Sequence, residues 1–185
     1  MDRDLVVRAR NGDHDAFARL VVASIGRLNA IARLIVSDYA IAEDAVQDAL
    51  VDAWRNLRGL RDPDRFDPWL NRVLVRSCQN ARRRETRRRG VELILPALSE
   101  PAQEDVQGSL ARTDQLEHAL SRLTVDQRAV LVLAYFLDLP LAEAAATLGI
   151  PTGTMKSRLA RALAALRASI DADERLTIQP AERTA

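Results

Sequence analysis

From Asp15 onward the chain places Phe17, Leu20, Val21, Ile25, Leu28, Ile31, Leu34 and Ile35 mostly three or four residues apart. Among regular structures, an α-helix brings such a series onto one face, and a helix of some twenty residues is about 30 Å long. An apolar stripe of that length must be covered along its extent, so it demands other helices lying against it. The material for that cover is helical too. Aromatic residues make up 4% of the chain and hydrophobic residues as a group 48%. The core is therefore built from Leu, Ala, Val and Ile, which suit helices more than the β-branched and aromatic mixture of a large sheet. The fold class that follows is all-α.

Cap and turn signals divide the 185 residues into elements. Residues 2–10 read as a short helix closed by Asn11-Gly12, and Asp13 caps the long helix just described. Ser37-Asp38 breaks and caps again. A third helix is expected from Ile41 to Leu57, with Val46, Leu50, Ala53, Trp54 and Leu57 on its inner face and Asp44, Asp48 and Asp52 on another. Asp67 and Pro68 are expected to open a fourth, running from Trp69 to about Arg84. Periodicity then fails between Glu85 and Leu110, where Pro96, Pro101 and Gly108 accompany Glu92, Glu100, Glu104 and Asp105. This is read as a flexible acidic linker with some helix near Val91–Leu95. A second helical block begins near Thr113. Within it Thr124 and Gln127 form a capping-box pattern opening a helix through Phe136, followed by Leu141–Leu148 and Thr152–Ile170. The expected organisation is two small helical domains, residues 1–88 and 113–170, joined by linker 89–112 and followed by a frayed tail, 171–185.

Several function classes are excluded or disfavoured by composition. No window carries the roughly 20 apolar residues of a membrane span, and the charged N-terminus lacks the apolar centre of a secretory signal. Cys78 is the lone cysteine, which rules out a disulfide framework or a cysteine zinc cluster, and reducing cytoplasm is the expected compartment. His14 and His118 lie far apart on expected helix surfaces, and Cys78 has no paired base nearby in sequence. No catalytic group, cofactor or metal site is expected.

The net charge of +1 hides segregation. Arg82–Arg89 holds six arginines and one glutamate, and Gly149–Ser169 holds four cations and no anion. Ile41–Ala53 is the reverse, with Glu43, Asp44, Asp48 and Asp52 and no cation. Blocks of this kind suit partners of opposite sign, nucleic acid for the basic ones and a basic protein surface for the acidic one. Between Leu141 and Arg167, Gly149 supplies a left-handed helix end and Pro151 blocks continuation. A helix of about eight residues, a glycine-bearing turn and a longer basic helix are the marks of a helix-turn-helix. The second helix of that motif enters the major groove N-terminus first, which nominates Thr152, Thr154, Lys156, Ser157 and Arg158 for bases and Arg161 for phosphate. A plain amphipathic hairpin with an arginine-rich solvent face is the bland alternative. A P-loop fails, because Met155 and not a glycine stands directly before Lys156.

The first block carries a different signature. Phe66, Trp69, Asn71, Arg72, Arg76 and Asn80 set aromatic and amide groups among cations, which suits unstacked single-stranded bases. Trp54 and Trp69 read as core and Phe66 as the base contact, while the arginines that follow track phosphates.

Taken together these residues resemble the extracytoplasmic-function type of bacterial sigma factor, over about Asp4–Arg167. AEDAVQDALVDAWRNL is similar to that family's polymerase-binding helix, which implies Asp44, Gln47 and Asp48 as the polymerase face. FDPWLNRVLVRSCQNARRR resembles the segment that reads and opens the −10 element, implying Asp62, Arg65, Phe66, Asn71, Arg72, Arg76, Asn80, Arg82 and Arg83. LTVDQRAVLVLAYFLDLPLAEAAATLGIPTGTMKSRLARALAALR is similar to the −35-reading domain. The family implies core RNA polymerase, at its clamp helices and flap, and promoter DNA as partners. It also implies regulation by an anti-sigma protein, which can hold such a factor near the membrane. The chain departs from the pattern at Ala144-Ala145-Ala146, where a branched aliphatic is usual and looser packing is expected, and around Ser77-Cys78-Gln79. A polymerase-independent helix-turn-helix repressor or activator is the rival reading. It would be expected to dimerise through an apolar seam that is not evident, and it leaves the acidic face unexplained.

Overall fold

The computed structural model describes residues 2–91, 116 and 118–178. The first domain holds α1 (Arg3–Arg10), α2 (His14–Val36), α3 (Tyr39–Asn56) and α4 (Phe66–Val91), with short 3-10 turns at Leu57–Gly59 and Pro63–Arg65 between α3 and α4. The second begins with helical residues 118–121 and continues through α5 (Val125–Leu131), a π-helical turn (Val132–Phe136), α6 (Leu141–Leu148) and α7 (Thr152–Ile178). No strand occurs among the described residues.

The caps form where the side chains allow them. Asp13 accepts from the Ala16 amide at 3.0 Å and Asp38 from the Ile41 amide at 3.1 Å. Thr124 and Gln127 close a reciprocal capping box, the Gln127 amide donating to Thr124 Oγ1 at 3.2 Å and the Thr124 amide to Gln127 Oε1 at 2.8 Å. Ser37 ends α2 in the left-handed region at φ 59°. Gly149 at φ 66° ends α6, its amide donating to Ala146 O while the Ile150 amide reaches back to Ala145 O at 3.0 Å. That pair of bonds is a Schellman ending and redirects the chain in one residue.

The core rests on α2, whose Leu20, Leu28, Ile31 and Ile35 are each no more than 1% exposed. α1, α3 and α4 pack around it, and Trp54 on α3 lies with its ring centroid 4.9 Å from that of Phe17 and 4.4 Å from that of His14. The second domain is built around α5 and α7, and its Val130, Leu133, Ala144 and Met155 join the same buried cluster as the first domain. α5 contacts α2, and α6 contacts α4, so the two domains lie against each other.

Four sequence expectations are corrected. α4 starts at Phe66, ahead of Asp67 and Pro68, and continues past Arg84 to Val91. Pro68 falls within the first turn, where a missing N–H costs nothing. Thr152 is the first residue of α7 rather than its cap; the Met155 amide bonds to Pro151 O at 3.0 Å, so the helix is already closed one residue earlier. α7 also runs to Ile178, through the first eight residues assigned to the tail, which contain neither Gly nor Pro. Ala144 and Ala145 are 0% and 2% exposed; small side chains there let α6 approach its neighbours closely, in place of the loose packing expected. The linker from residue 92, its helix near Val91–Leu95 beyond Val91, the start near Thr113 and the tail beyond Ile178 lie outside the described residues.

Gly149 and Gly26 separate backbone strain from packing, since an added Cβ meets nothing within 4 Å at either. Gly149→Ala forces an L side chain into the left-handed region and should destabilise by about 1–2 kcal/mol. Gly26→Ala, within α2, should stabilise by about 0.5–1 kcal/mol. Urea unfolding midpoints moving in opposite directions are the expected result.

Candidate nucleic-acid and protein interfaces

The turn at Gly149–Pro151 presents the outer face of α7 to solvent. Met155 and Ala162 are fully buried, and Leu159, Leu163 and Leu166 pack beside them. Thr152, Lys156, Ser157 and Arg161 are exposed, and Thr154 and Arg158 half-buried. Two of the polar side chains bond within the helix: Ser157 Oγ donates to Thr154 O at 2.9 Å and Arg161 Nε to Ser157 O at 3.3 Å. Lys156 and Arg158 project from the first two turns of a helix that carries no acid before Asp171. A positive helix end with short hydroxyl side chains matches both phosphate and base-edge chemistry.

In the first domain the nominated residues divide into two groups. Arg72, Arg76, Asn80 and Arg83 fall at successive helical turns of α4, with Arg76, Asn80 and Arg83 exposed. They form a cationic stripe. The Arg72 Nε is buried without a hydrogen-bond partner. Asp62 is exposed, and its carboxylate accepts from the Asp64 amide at 3.0 Å. Arg65 is exposed and reaches Glu143 of α6 at 3.8 Å. Phe66 and Asn71 are different. Phe66 is 1% exposed, its ring centroid 6.0 Å from that of half-buried Trp69, so it is core and the expectation of a base-stacking ring is corrected. Asn71, 6% exposed, accepts through Oδ1 from Arg27, whose other nitrogen donates to Asp67 at 2.8 Å. Its buried Oδ1 helps hold α4 to α2 instead of facing solvent, which corrects its place among the base contacts. The arginine at 27 was invisible to local pattern, since its partners lie 40 and 44 residues on.

The acidic face of α3 exposes Asp44 and Gln47, while Asp48 bonds to Arg84 of α4. A cleft of about 510 Å³ runs between these helices, lined by Asp38, Asp44, Gln47, Asp48, Arg84 and Arg88 among others. The arginine block therefore has two duties. Arg84 meets Asp48 of α3 and Arg88, on the same cleft, pairs with Glu85 of its own helix at 3.4 Å, whereas Arg82 and Arg83 line a second cleft, of about 300 Å³, facing Thr124, Asp126 and Arg128 of the second domain. Gln79 Nε2 donates to Asp126 Oδ1 across it at 2.9 Å.

Arg128 is the buried charged residue that local reading passed over. It is 4% exposed, and burial, with Arg82 nearby, pushes its guanidinium down to about 10. The signal was present: Arg128 sits three residues after Val125 and four before Val132, on the buried stripe of its helix.

Comparisons with known proteins place these surfaces in context. The family description "Sigma-70 region 2" matches residues 20–88, and "Sigma-70, region 4" matches residues 113–166. The chain is 34% identical to the ECF RNA polymerase sigma factor SigM of Mycobacterium tuberculosis, over 89% of this chain and 82% of that one. It is 31% identical to the RNA polymerase sigma factor CnrH of Cupriavidus metallidurans, over 93% and 95%. Among solved structures it resembles CnrH in complex with the cytosolic domain of CnrY, with a TM-score of 0.62, 32% identity and coverage of 93% and 98%. It also resembles the sigma factor RpoE in complex with the anti-sigma factor NepR from Bartonella quintana, with a TM-score of 0.65, 28% identity and coverage of 85% and 98%.

No described helix is long and apolar enough to cross a membrane, and no cluster of three or more metal-ligating side chains occurs among the described residues. Cys78 is fully buried, and desolvation pushes its thiol up to about 12. At pH 8 its thiolate is about a thousandfold scarcer than for an ordinary thiol, and the thiolate is the nucleophile. A disulfide reagent should leave the folded chain unmodified over an hour and titrate one thiol in denaturant.

Proposed function

The chain belongs to the extracytoplasmic-function branch of the sigma-70 family, and from that premise we propose how its surfaces divide the work. It is a sigma factor: it binds core RNA polymerase and directs transcription initiation at its promoters. The observation that carries the assignment of surfaces is the anion-free face of α7, set at the exit of a Schellman turn and aimed outward. On this reading Thr152, Thr154, Lys156, Ser157 and Arg158 meet duplex −35 bases and phosphates, and Arg161 meets the backbone. The stripe Arg72, Arg76, Asn80 and Arg83 tracks the separated strand at −10, with Asp62 and Arg65 at its mouth and Arg82 at its far edge. Phe66 and Asn71 support that surface from beneath.

Exposed Asp44 and Gln47, with half-buried Asp48 beside them, dock on a basic helix surface of the polymerase clamp, and the second domain docks on the flap. Recognition is the chain's share of initiation; bond formation belongs to the polymerase, and both work in the cytoplasm. The relatives solved with CnrY and NepR support an anti-sigma partner for this chain as well. A polymerase-independent repressor gives no role to the acidic face.

Run-off transcription with purified core polymerase and a pool of host promoter fragments tests the reading. Transcripts should depend on the chain and vanish with Asp48→Arg. The Asp48–Arg84 pair is surface-exposed, and such pairs are worth at most about 1 kcal/mol, so loss of activity in a folded variant reports the partner. Lys156→Ala and Arg158→Ala should each weaken promoter affinity by roughly tenfold or more, the worth of a base contact. Tight promoter binding with no dependence on polymerase would favour the repressor.

A further inference from the structure

The seat of Arg128 is made by the other domain. Its Nε donates to Ile35 O at 2.6 Å, Nη2 to Val36 O at 3.2 Å and Nη1 to Ser37 Oγ at 2.6 Å. These are the last acceptors of α2, where the helix carries its negative end. Two further bonds, from Nη1 to Leu120 O at 3.2 Å and to Ser121 O at 3.5 Å, tie the same guanidinium to its own domain. No carboxylate of the described residues pairs with it, and the charge nearest in effect is Arg82, which repels it. Among the described residues the other polar bridges between the domains, Gln79–Asp126 and Arg65–Glu143, are exposed, and exposed pairs hold little.

We infer that Arg128 is an interdomain latch: seated in the C-terminal carbonyls of α2, it keeps the free chain closed, and it must leave that seat before both promoter elements can be engaged. The second half of the inference rests on the reading above. The −35 and −10 elements are about 25 base pairs apart, roughly 85 Å of duplex at 3.4 Å per pair. In the closed chain, α6 of the helix-turn-helix packs on α4, and Glu143 lies 3.8 Å from Arg65. α7, with 27 residues, is only about 40 Å long. The closed chain therefore cannot set α7 on one element and α4 on the other. The chemistry of the seat suits release. Its acceptors are neutral, so parting the domains leaves no stranded counter-ion, and the guanidinium returns to water away from Arg82.

Energy transfer between dyes on Ala18→Cys and Ala164→Cys, exposed sites on α2 and α7, reads the latch directly, because buried Cys78 takes no label. The wild-type chain alone should show high transfer that falls when core polymerase is added. Arg128→Ala should lower transfer without polymerase, moving the closed-to-open ratio about tenfold or more toward open. Ser37→Gly removes one acceptor, keeps the left-handed helix end and leaves the second domain untouched; it should move the ratio the same way by less. Arg128→Lys, which keeps the charge and loses the fork, should fall between. Low transfer in the wild-type chain alone, or unchanged transfer in Arg128→Ala with its helical circular dichroism intact, overturns the latch. Should Arg128→Ala lose its helicity, the Ser37→Gly and Arg128→Lys arms decide, and unchanged transfer in both overturns it. Transfer that responds to these variants but not to polymerase, together with no run-off transcript, overturns the polymerase reading and leaves the latch standing.

Discussion

Burial of α2 is the constraint on which the rest of the molecule depends. Its sides and its end do different work. Along the sides, Leu20, Leu28, Ile31 and Ile35 are sealed by α1, α3 and α4, and each such side chain contributes about 1.5–3 kcal/mol of transfer free energy. The far end is polar by necessity, because the last carbonyls of any helix have no intrahelical donor. Ser37 turns the chain away in the left-handed region and leaves those carbonyls facing outward. Arg128 fills the vacancy from the second domain. The apolar sides thus organise one domain and share a buried cluster with Val130, Leu133 and Met155 of the other, and the polar end adds a directional contact to that packing.

The choice of a guanidinium facing neutral oxygens, rather than a carboxylate, sets how much the polar contact adds to the apolar packing between the domains. Breaking a buried ion pair by removing one partner costs about 3–5 kcal/mol, because a bare charge stays behind. Hydrogen bonds from a charged donor to neutral acceptors are worth about 1.5–3 kcal/mol, and after separation both sides are resolvated. The planar fork reaches Ile35, Val36 and Ser37 together, which a lysine could not do with the same geometry. The contact is specific in position and moderate in strength, as a domain pair that must part requires.

Charge elsewhere follows helical angle more than local composition. Arg82, Arg83 and Arg84 are consecutive, yet each step of about 100° sends the next side chain elsewhere. Arg84 meets Asp48 on α3, while Arg82 and Arg83 line the interdomain cleft. A run of arginines that looks like one electrostatic object is shared between an acid-lined groove and a domain boundary. The same angle separates Asn71, locked by Arg27, from exposed Arg76, Asn80 and Arg83 on the α4 stripe.

Much of this was written locally. The spacing from Phe17 to Ile35, the caps at Asp13, Asp38 and Thr124, and the glycine at 149 determined the helices and the turn before α7, because they act over four residues or fewer, where the chain's own geometry supplies the partner. Charge segregation likewise marked the acidic face of α3 and the basic face of α7. Helix ends were less legible where signals competed: Phe66 starts α4 ahead of Asp67 and Pro68, and α7 continues past Ile170. What only the tertiary structure decided is which polar side chains are spent on holding the molecule together. Phe66 went to the core, Asn71 to Arg27 and Arg128 to the end of α2, each through a partner or packing environment that local spacing does not encode. Burial and hydrogen bonding at such distances depend on how the helices pack, and that packing is settled by their summed apolar faces rather than by any one motif.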